Sequence, residues 1–125
     1  KKLFNSDIKD FITKAEIIQN AKVINNNICL AYTKTETDNI NIVIAQAADE
    51  LLNIKEVEAS FVLARKDDRV FISARSLGNI NVHVLMENLG GGGHRDMAGA
   101  QLDTSLEKAY EMVKDTIQTC IKEEE

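Results

Sequence analysis

Four consecutive glycines, Gly90 to Gly93, place the strongest single constraint on how this chain can fold. Glycine is favoured just past the end of a helix, so a helix that precedes the run must stop there. One glycine is enough for that purpose, and four indicate backbone that another group approaches closely. Successive N–H groups in such a turn can form an anion-binding concavity, and the imidazole of His94 follows directly. A purely structural turn remains an alternative, because short glycine motifs also occur without ligands.

Segments with helical and with strand periodicity alternate on both sides of the glycines. One helix is predicted over residues 6–20, capped by Ser6 or Asp7, and its apolar stripe is formed by Ile8, Phe11, Ile12, Ala15 and either Ile18 or Ile17. The further helices are predicted over residues 40–53, 81–89 and 106–121, and the strands over residues 22–24, 28–33, 57–65, 69–73 and 98–102. This order predicts an α/β fold, in which helices cover a mixed sheet of four to five strands in one domain over residues 1–125.

The composition limits the classes of function that the chain can have. A net charge of −5 argues against a broad surface for duplex DNA, but a local anion site needs only a few donors. Two cysteines, Cys29 and Cys120, are too few for a disulfide framework and indicate reduced thiols in the cytosol. No cluster of His, Cys and Asp has metal-ligand spacing, and no hydrolytic triad is recognisable.

The segment Ser73-Ala74-Arg75-Ser76, at the predicted end of a strand, is the second candidate for ligand binding. The planar guanidinium of arginine can bind a phosphate through two hydrogen bonds, which suits a position near a glycine loop. An exposed arginine at a strand edge is the alternative, since most arginines are exposed. Asn81 is predicted to cap the following helix.

These residues resemble a known family. The segment over residues 72–102 resembles the DHH-associated C-terminal domain of the DHH-family phosphodiesterases, whose hallmark is Gly-Gly-Gly-His followed shortly by Ala-Ala-Gly. Here the hallmark reads Gly91-Gly92-Gly93-His94 and then Met97-Ala98-Gly99, in which Met97 departs from the usual small residue. The segments ISARSL, INV and AGAQL, the fourth glycine, and the upstream segments over residues 15–23 and 44–54 are particularly similar to the membrane-anchored cyclic di-AMP phosphodiesterases of Gram-positive bacteria.

The resemblance implies a division of labour between two domains. A DHH domain holds two metal ions, typically manganese, which activate a water molecule, and the DHH-associated domain closes over the cleft and grips the nucleotide. It implies that Gly91, Gly92, Gly93 and His94 contact phosphate, and that Ser73 and Arg75 contact phosphate or base. No Asp-His-His triplet occurs in this chain, so we expect no catalytic residue, no metal site and no hydrolysis by the chain alone. The expected partners are a cyclic dinucleotide or short oligonucleotide and the DHH domain of a parent protein, with this domain on the cytoplasmic side of a membrane-anchored parent.

Two other functions remain open at this stage. One is a module for longer nucleic acid, as in RecJ-like exonucleases, nano-RNases or tRNA-synthetase editing regions, although single-strand grooves are usually basic and aromatic. The other is a structural or homodimerising domain in which the glycines only turn the chain.

Overall fold

The computed structural model describes residues 8–124, with side chains through residue 121, so the predicted cap at Ser6 or Asp7 lies outside the described residues. The helices are α1 (Ile8–Gln19), α2 (Ile40–Leu51), α3 (Val82–Glu87) and α4 (Leu106–Glu124). The strands are β1 (Lys22–Ile24), β2 (Ile28–Thr33), β3 (Ala59–Lys66), β4 (Arg69–Ser76), β5 (Gly92–Gly93) and β6 (Met97–Leu102). Every described helix is too short or too polar to cross a bilayer.

The strands form one mixed sheet in the order β1-β2-β3-β4-β6-β5, which confirms the predicted α/β class. Only β2 and β3 are parallel, and α2 makes the crossover between them. The sheet has six strands rather than four to five, because Gly92–Gly93, predicted as part of a turn, pairs with β6 as a short edge strand. A sequence of four glycines has no strand periodicity, so the pattern could not reveal this pairing.

Helices cover both faces of the sheet and divide the core into two parts. On one face, α3 and α4 pack on a large apolar cluster centred on Phe61 and Leu63 of β3. On the other face, α1 and α2 pack on a smaller cluster that includes Ile17, Ile44 and Val62. Strand β3 is therefore buried on both sides, and the Ser60 hydroxyl satisfies its hydrogen bond by donating to the Ala48 carbonyl oxygen at 2.6 Å.

Helix α1 is the clearest departure from the sequence prediction. Ile8, Phe11 and Ile12 were expected to face the core, yet 77%, 68% and 49% of their surfaces are exposed. The buried residues of α1 are Asp10, Thr13 and Ile17. Helical periodicity identifies an apolar stripe but does not say what the stripe packs against. Here tertiary contacts select the opposite side of the helix: Asp10 accepts a hydrogen bond from Asn39 at 3.0 Å, and Lys14 pairs with Glu50 at 3.2 Å.

Two local features decide how the candidate residues are placed. Strand β4 continues to Ser76, three residues beyond its predicted end, so Ser73 lies inside the paired strand, and Arg75 is its last residue but one and is still paired with β6. The predicted cap of α3 is confirmed, because the Asn81 side chain accepts hydrogen bonds from the amides of His83 and Val84.

The orientation of α1 predicts unequal effects of one substitution at two positions of the same helix. Ile17 is fully buried, so Ile17→Ala should lower the free energy of unfolding by about 2–5 kcal/mol. Ile8→Ala removes the same atoms from an exposed site and should change it by no more than about 0.5 kcal/mol. Urea denaturation of the two variants measures both values, and a large loss in the Ile8 variant would contradict the observed orientation.

Candidate functional site

On the face that carries α1 and α2, these helices leave part of the sheet uncovered. On that face α2 contacts β3 and β4, whereas β6 and β5 make their helix contacts with α3 on the opposite face. Side chains alternate between the two faces of a strand, so Phe71, Ser73 and Arg75 of β4 share the uncovered side with Gly99 of β6. We call this area the open half-face: the exposed surface of β4, β6 and β5 beside α2.

Strand register brings most of the predicted site residues together. Ser73 lies opposite Gly99, and Gly99 lies opposite Gly92, so these three residues form one row across the sheet. Arg75 lies opposite Met97, whose carbonyl oxygen accepts a hydrogen bond from the His94 amide at 2.7 Å. Because neighbouring strands are about 4.8 Å apart, each row spans roughly 10 Å from β4 to β5. Strand β6 therefore has β4, with Ser73 and Arg75, on one side and the glycine–histidine segment on the other.

A cleft of about 480 Å³ lies on the open half-face. Its lining includes Ser73, Gly90, Gly91 and Gly99 from the sheet side and Asn41 from α2. The other lining residues are Ile44, Phe71, Ile72, Ala100 and Gln101. The cleft thus joins Ser73 to Gly90 and Gly91, whereas the other predicted site residues lie outside its lining: Arg75, Gly92, Gly93 and His94.

Three of the four glycines are required by the fold, for different physical reasons. Gly90 and Gly93 have φ angles of +85° and +145°, a region that L side chains rarely adopt. A Cβ atom on Gly91 would lie 2.0 Å from the Gly99 carbonyl oxygen, and one on Gly93 would lie 2.5 Å from Ala98. Gly92 has neither constraint, since its φ is not left-handed and a Cβ atom there would meet nothing within 4 Å. The fold therefore explains three of the glycines and leaves Gly92 bordering open space.

Backbone amides in this segment are largely used within the protein. The amides of Gly90 and Gly91 donate to carbonyl oxygens of Glu87 and Met86, and the His94 amide donates to Met97. These three donors are already paired within the protein, so the segment cannot use them to bind an anion. What it presents to the open half-face is a flat, side-chain-free surface, with the exposed His94 at its end.

Arg75 is held in place by two hydrogen bonds. Its Nε donates to Asp49 Oδ1 of α2 at 2.9 Å, and its Nη1 donates to the Ala74 carbonyl oxygen at 3.0 Å. The side chain is only 12% exposed, which excludes the alternative of a freely solvated surface arginine. No pairing of Arg75 with another element was expected from the sequence.

The loop after β4 is braced against the start of β3. Both oxygens of Glu58 accept side-chain amide hydrogen bonds, from Asn79 at 2.5 Å and from Asn27 at 3.0 Å. These two bonds, that of Asn79 first, lower the pKa of Glu58 below its ordinary value of 4.5. Arg95 adds a bond from its Nε to the Gly78 carbonyl oxygen at 2.6 Å. These hydrogen bonds hold the loop that follows Arg75 in a fixed position relative to β3 and to the residue that follows His94.

Sequence reasoning missed several residues of the site. Asn41 and Asp49 belong to α2, which is distant in sequence, and no local pattern connects them to Ser73 or Arg75. Gln101 lines the cleft through the alternation of β6, which could have been inferred once the strand was known. Among the described residues, no group of three His, Cys, Asp or Glu side chains could hold a metal ion. The described residues therefore do not fit the metal centre that the resemblance implies for a parent enzyme.

A second groove of about 250 Å³ lies between β2 and α4, far from the glycines in the sheet order. Tyr32 and Tyr110 meet there edge to face, with ring centroids 5.4 Å apart. Burial raises the pKa of Tyr110. Two lysines and two glutamates also line the groove, so opposite charges offset one another and give it no preference for an anion.

Solved structures with the same arrangement of helices and strands define the fold. An exopolyphosphatase-related protein from Bacteroides fragilis superposes with a TM-score of 0.79 at 21% sequence identity, over 94% of this chain and 37% of that chain. RecJ from Thermus thermophilus, solved in complex with Mg²⁺, superposes with a TM-score of 0.62 at 16% identity, over 87% of this chain and 17% of that one. At these identities the likeness shows a shared fold alone.

The family follows from sequence comparison. The model of the DHHA1 domain matches residues 25–123, and the chain belongs to this family of domains, as the resemblance predicted. It is 41% identical over 121 residues to the cyclic-di-AMP phosphodiesterase GdpP of Bacillus subtilis, and 36% identical over 111 residues to the cyclic-di-AMP phosphodiesterase PdeA of Listeria monocytogenes. These matches cover 94% and 87% of this chain but only 18% and 17% of the relatives. The chain thus spans less than a fifth of the length of either relative.

The glycine geometry predicts that neighbouring glycines tolerate a methyl group differently. Gly91→Ala places a Cβ atom against the backbone of β6 and should destabilise the domain by about 1–3 kcal/mol or more. Gly92→Ala places the same atom in open space and should leave the melting temperature within about 2 °C of the unmodified chain. Thermal unfolding followed by circular dichroism measures both, and equal destabilisation would contradict the packing of β5 on β6.

The Glu58 network predicts a specific pH dependence of stability. Because the pKa of Glu58 is lowered in the folded state, its contribution is present above its ordinary pKa of 4.5 and is lost as the pH falls through the lowered value. Denaturation between about pH 6 and pH 2 should therefore show a smaller loss of stability in Glu58→Gln than in the unmodified chain. If the free energy of unfolding fell equally with pH in the two proteins, the hydrogen bonds of Glu58 would make no pH-dependent contribution to stability.

Proposed function

We propose that this domain binds the phosphates of a short nucleotide substrate for a DHH-family phosphodiesterase. The observation that carries the proposal is the open half-face, where Ser73, Arg75 and the glycine–histidine segment face one another across β6. A site of this kind binds an anion by a few positioned donors and needs no basic surface, which suits a chain with a net charge of −5.

The chemistry of the open half-face suits a phosphodiester. Arg75 supplies a fixed cation with unused N–H donors, and charge-assisted bonds from guanidinium to phosphate are strong and directional. Ser73 contributes a hydroxyl at the edge of the cleft, and His94 contributes an exposed imidazole at the end of the glycine segment. Gly92 and Gly99 lack side chains between these groups, which supports close contact of a ligand with the backbone.

The identity of the substrate is the finer part of the proposal. Relatives at 36–41% identity are named cyclic-di-AMP phosphodiesterases, and we propose cyclic di-AMP or its linear product as ligand, with short oligonucleotides as the wider class. A long single strand is less well supported, because the cleft lining holds one aromatic residue, Phe71, whereas a single strand stacks successive bases on several aromatic side chains.

We assign no hydrolytic step to this domain. The described residues offer no metal site, so the metal ions, manganese according to the resemblance, would be held by a DHH domain of the longer protein. In this proposal the longer protein is a membrane-anchored enzyme with both domains on the cytoplasmic side. The DHHA1 domain binds and orients the substrate there, and the chain alone does not turn it over.

The two histidines of the chain provide a matched test of the proposed site. His94→Ala should weaken binding of linear di-adenylate by about ten-fold or more, because it removes a hydrogen bond to a charged group. His83 lies on α3, where its Nε2 is 3.6 Å from Glu87, so His83→Ala should leave the affinity unchanged. Isothermal titration calorimetry on both variants measures the effect. Equal affinities for the two variants and the unmodified chain would overturn the assignment of His94 and favour a structural role for the glycine segment.

A further inference from the structure

The ion pair between Asp49 and Arg75 joins α2 to the open half-face. Arg75 Nε lies 2.9 Å from Asp49 Oδ1, with 12% of the arginine side chain and 60% of the aspartate side chain exposed. The Arg75 side chain as a whole is thus mostly buried, whereas the Asp49 side chain remains largely exposed. A cation in such a position needs a fixed acceptor, or its long side chain turns out to solvent.

The pair does not consume the hydrogen bonds that a phosphate would need. A guanidinium carries five N–H donors, of which Asp49 takes the one on Nε and the Ala74 carbonyl oxygen takes one on Nη1. No hydrogen bond within the described part of the chain uses the two donors on Nη2 or the second donor on Nη1. Asp49 therefore fixes the plane of the guanidinium and leaves enough donors for a bidentate bond to a phosphate.

The position of Asp49 in its helix is unfavourable by itself. It lies near the C-terminal end of α2, where the helix dipole disfavours negative charge, and the last turn of α2 contains no basic residue. The neighbouring Glu50 pairs with Lys14 of α1 at 3.2 Å, and this ion pair joins α2 to the other helix on the same face of the sheet. Asp49 instead reaches across to the sheet, so α2 helps to hold Arg75 as well as to line the cleft.

We propose that Asp49 is a positioning residue for the ligand: it holds the Arg75 guanidinium flat against the sheet so that the remaining donors meet a phosphate group. This inference rests on the proposed function of the open half-face. Two other roles make different predictions. If Asp49 competed with the ligand for Arg75, its removal would tighten binding, and if it only stabilised the fold, its removal would leave the affinity of the folded protein unchanged.

Calorimetric titration of the 125-residue chain with linear di-adenylate separates these roles. Asp49→Ala should weaken binding about ten-fold, whereas Asp49→Asn, whose amide oxygen can still accept from Nε, should stay within about two-fold of the unmodified chain. Glu50→Ala removes an equal charge from the same turn without contacting Arg75 and should bind as the unmodified chain does. In a background of Arg75→Lys, which lacks the planar fork, adding Asp49→Ala should cause no further loss.

A second measurement needs no ligand. The ¹⁵N relaxation of the Arg75 Nε–Hε group should report an ordered side chain in the unmodified protein and a mobile one in Asp49→Ala. An ordered group in Asp49→Ala, or an affinity in that variant equal to or above that of the unmodified chain, would overturn the positioning role alone. Failure of the unmodified chain to bind di-adenylate would overturn the proposed function and this inference with it.

Discussion

The close approach of β5 to β6 is the contact on which the rest of the site depends. It exists because Gly91 and Gly93 have no Cβ atom, and a Cβ at either position would overlap the backbone of β6. The approach turns a glycine run into an edge strand and places His94 at the end of the row that begins with Arg75. A close contact between backbones thus positions two side chains, those of Arg75 and His94, that are distant in sequence.

The site exists because helices cover the sheet unevenly. Helices α1 and α2 cover β2, β3 and β4 on one face, and β6 and β5 extend beyond them. The result is an area of paired strands that is held rigid by the sheet, is open to solvent, and is bounded on one side by α2. Glycines form much of its surface, so a ligand can contact the backbone, and the few polar side chains around it are fixed by strand register or by ion pairing. Such preorganisation reduces the entropy that is lost when a ligand binds.

Much of this arrangement could be predicted from the sequence, and the failures have physical causes. Periodicity located the helices and five of the strands, and the glycine–histidine motif located the family. Periodicity could not show which side of α1 is buried, because that depends on the pairing of Asp10 with Asn39, just before α2, and of Lys14 with Glu50 in α2. It also missed β5, which has no side chains to alternate. The Asp49–Arg75 pair joins residues 26 positions apart in sequence and became visible only when the fold brought α2 beside β4.

The most direct test of the account is an NMR titration of the ¹⁵N-labelled chain with linear di-adenylate in the absence of metal. Binding on the open half-face predicts that the largest shifts occur at the amides of Ser73, Gly92, His94 and Gly99 and at the Arg75 Nε–Hε group. Shifts centred on the groove at Tyr32 and Tyr110, or no shifts at millimolar ligand, would contradict the assignment of the nucleotide site to this face of the sheet.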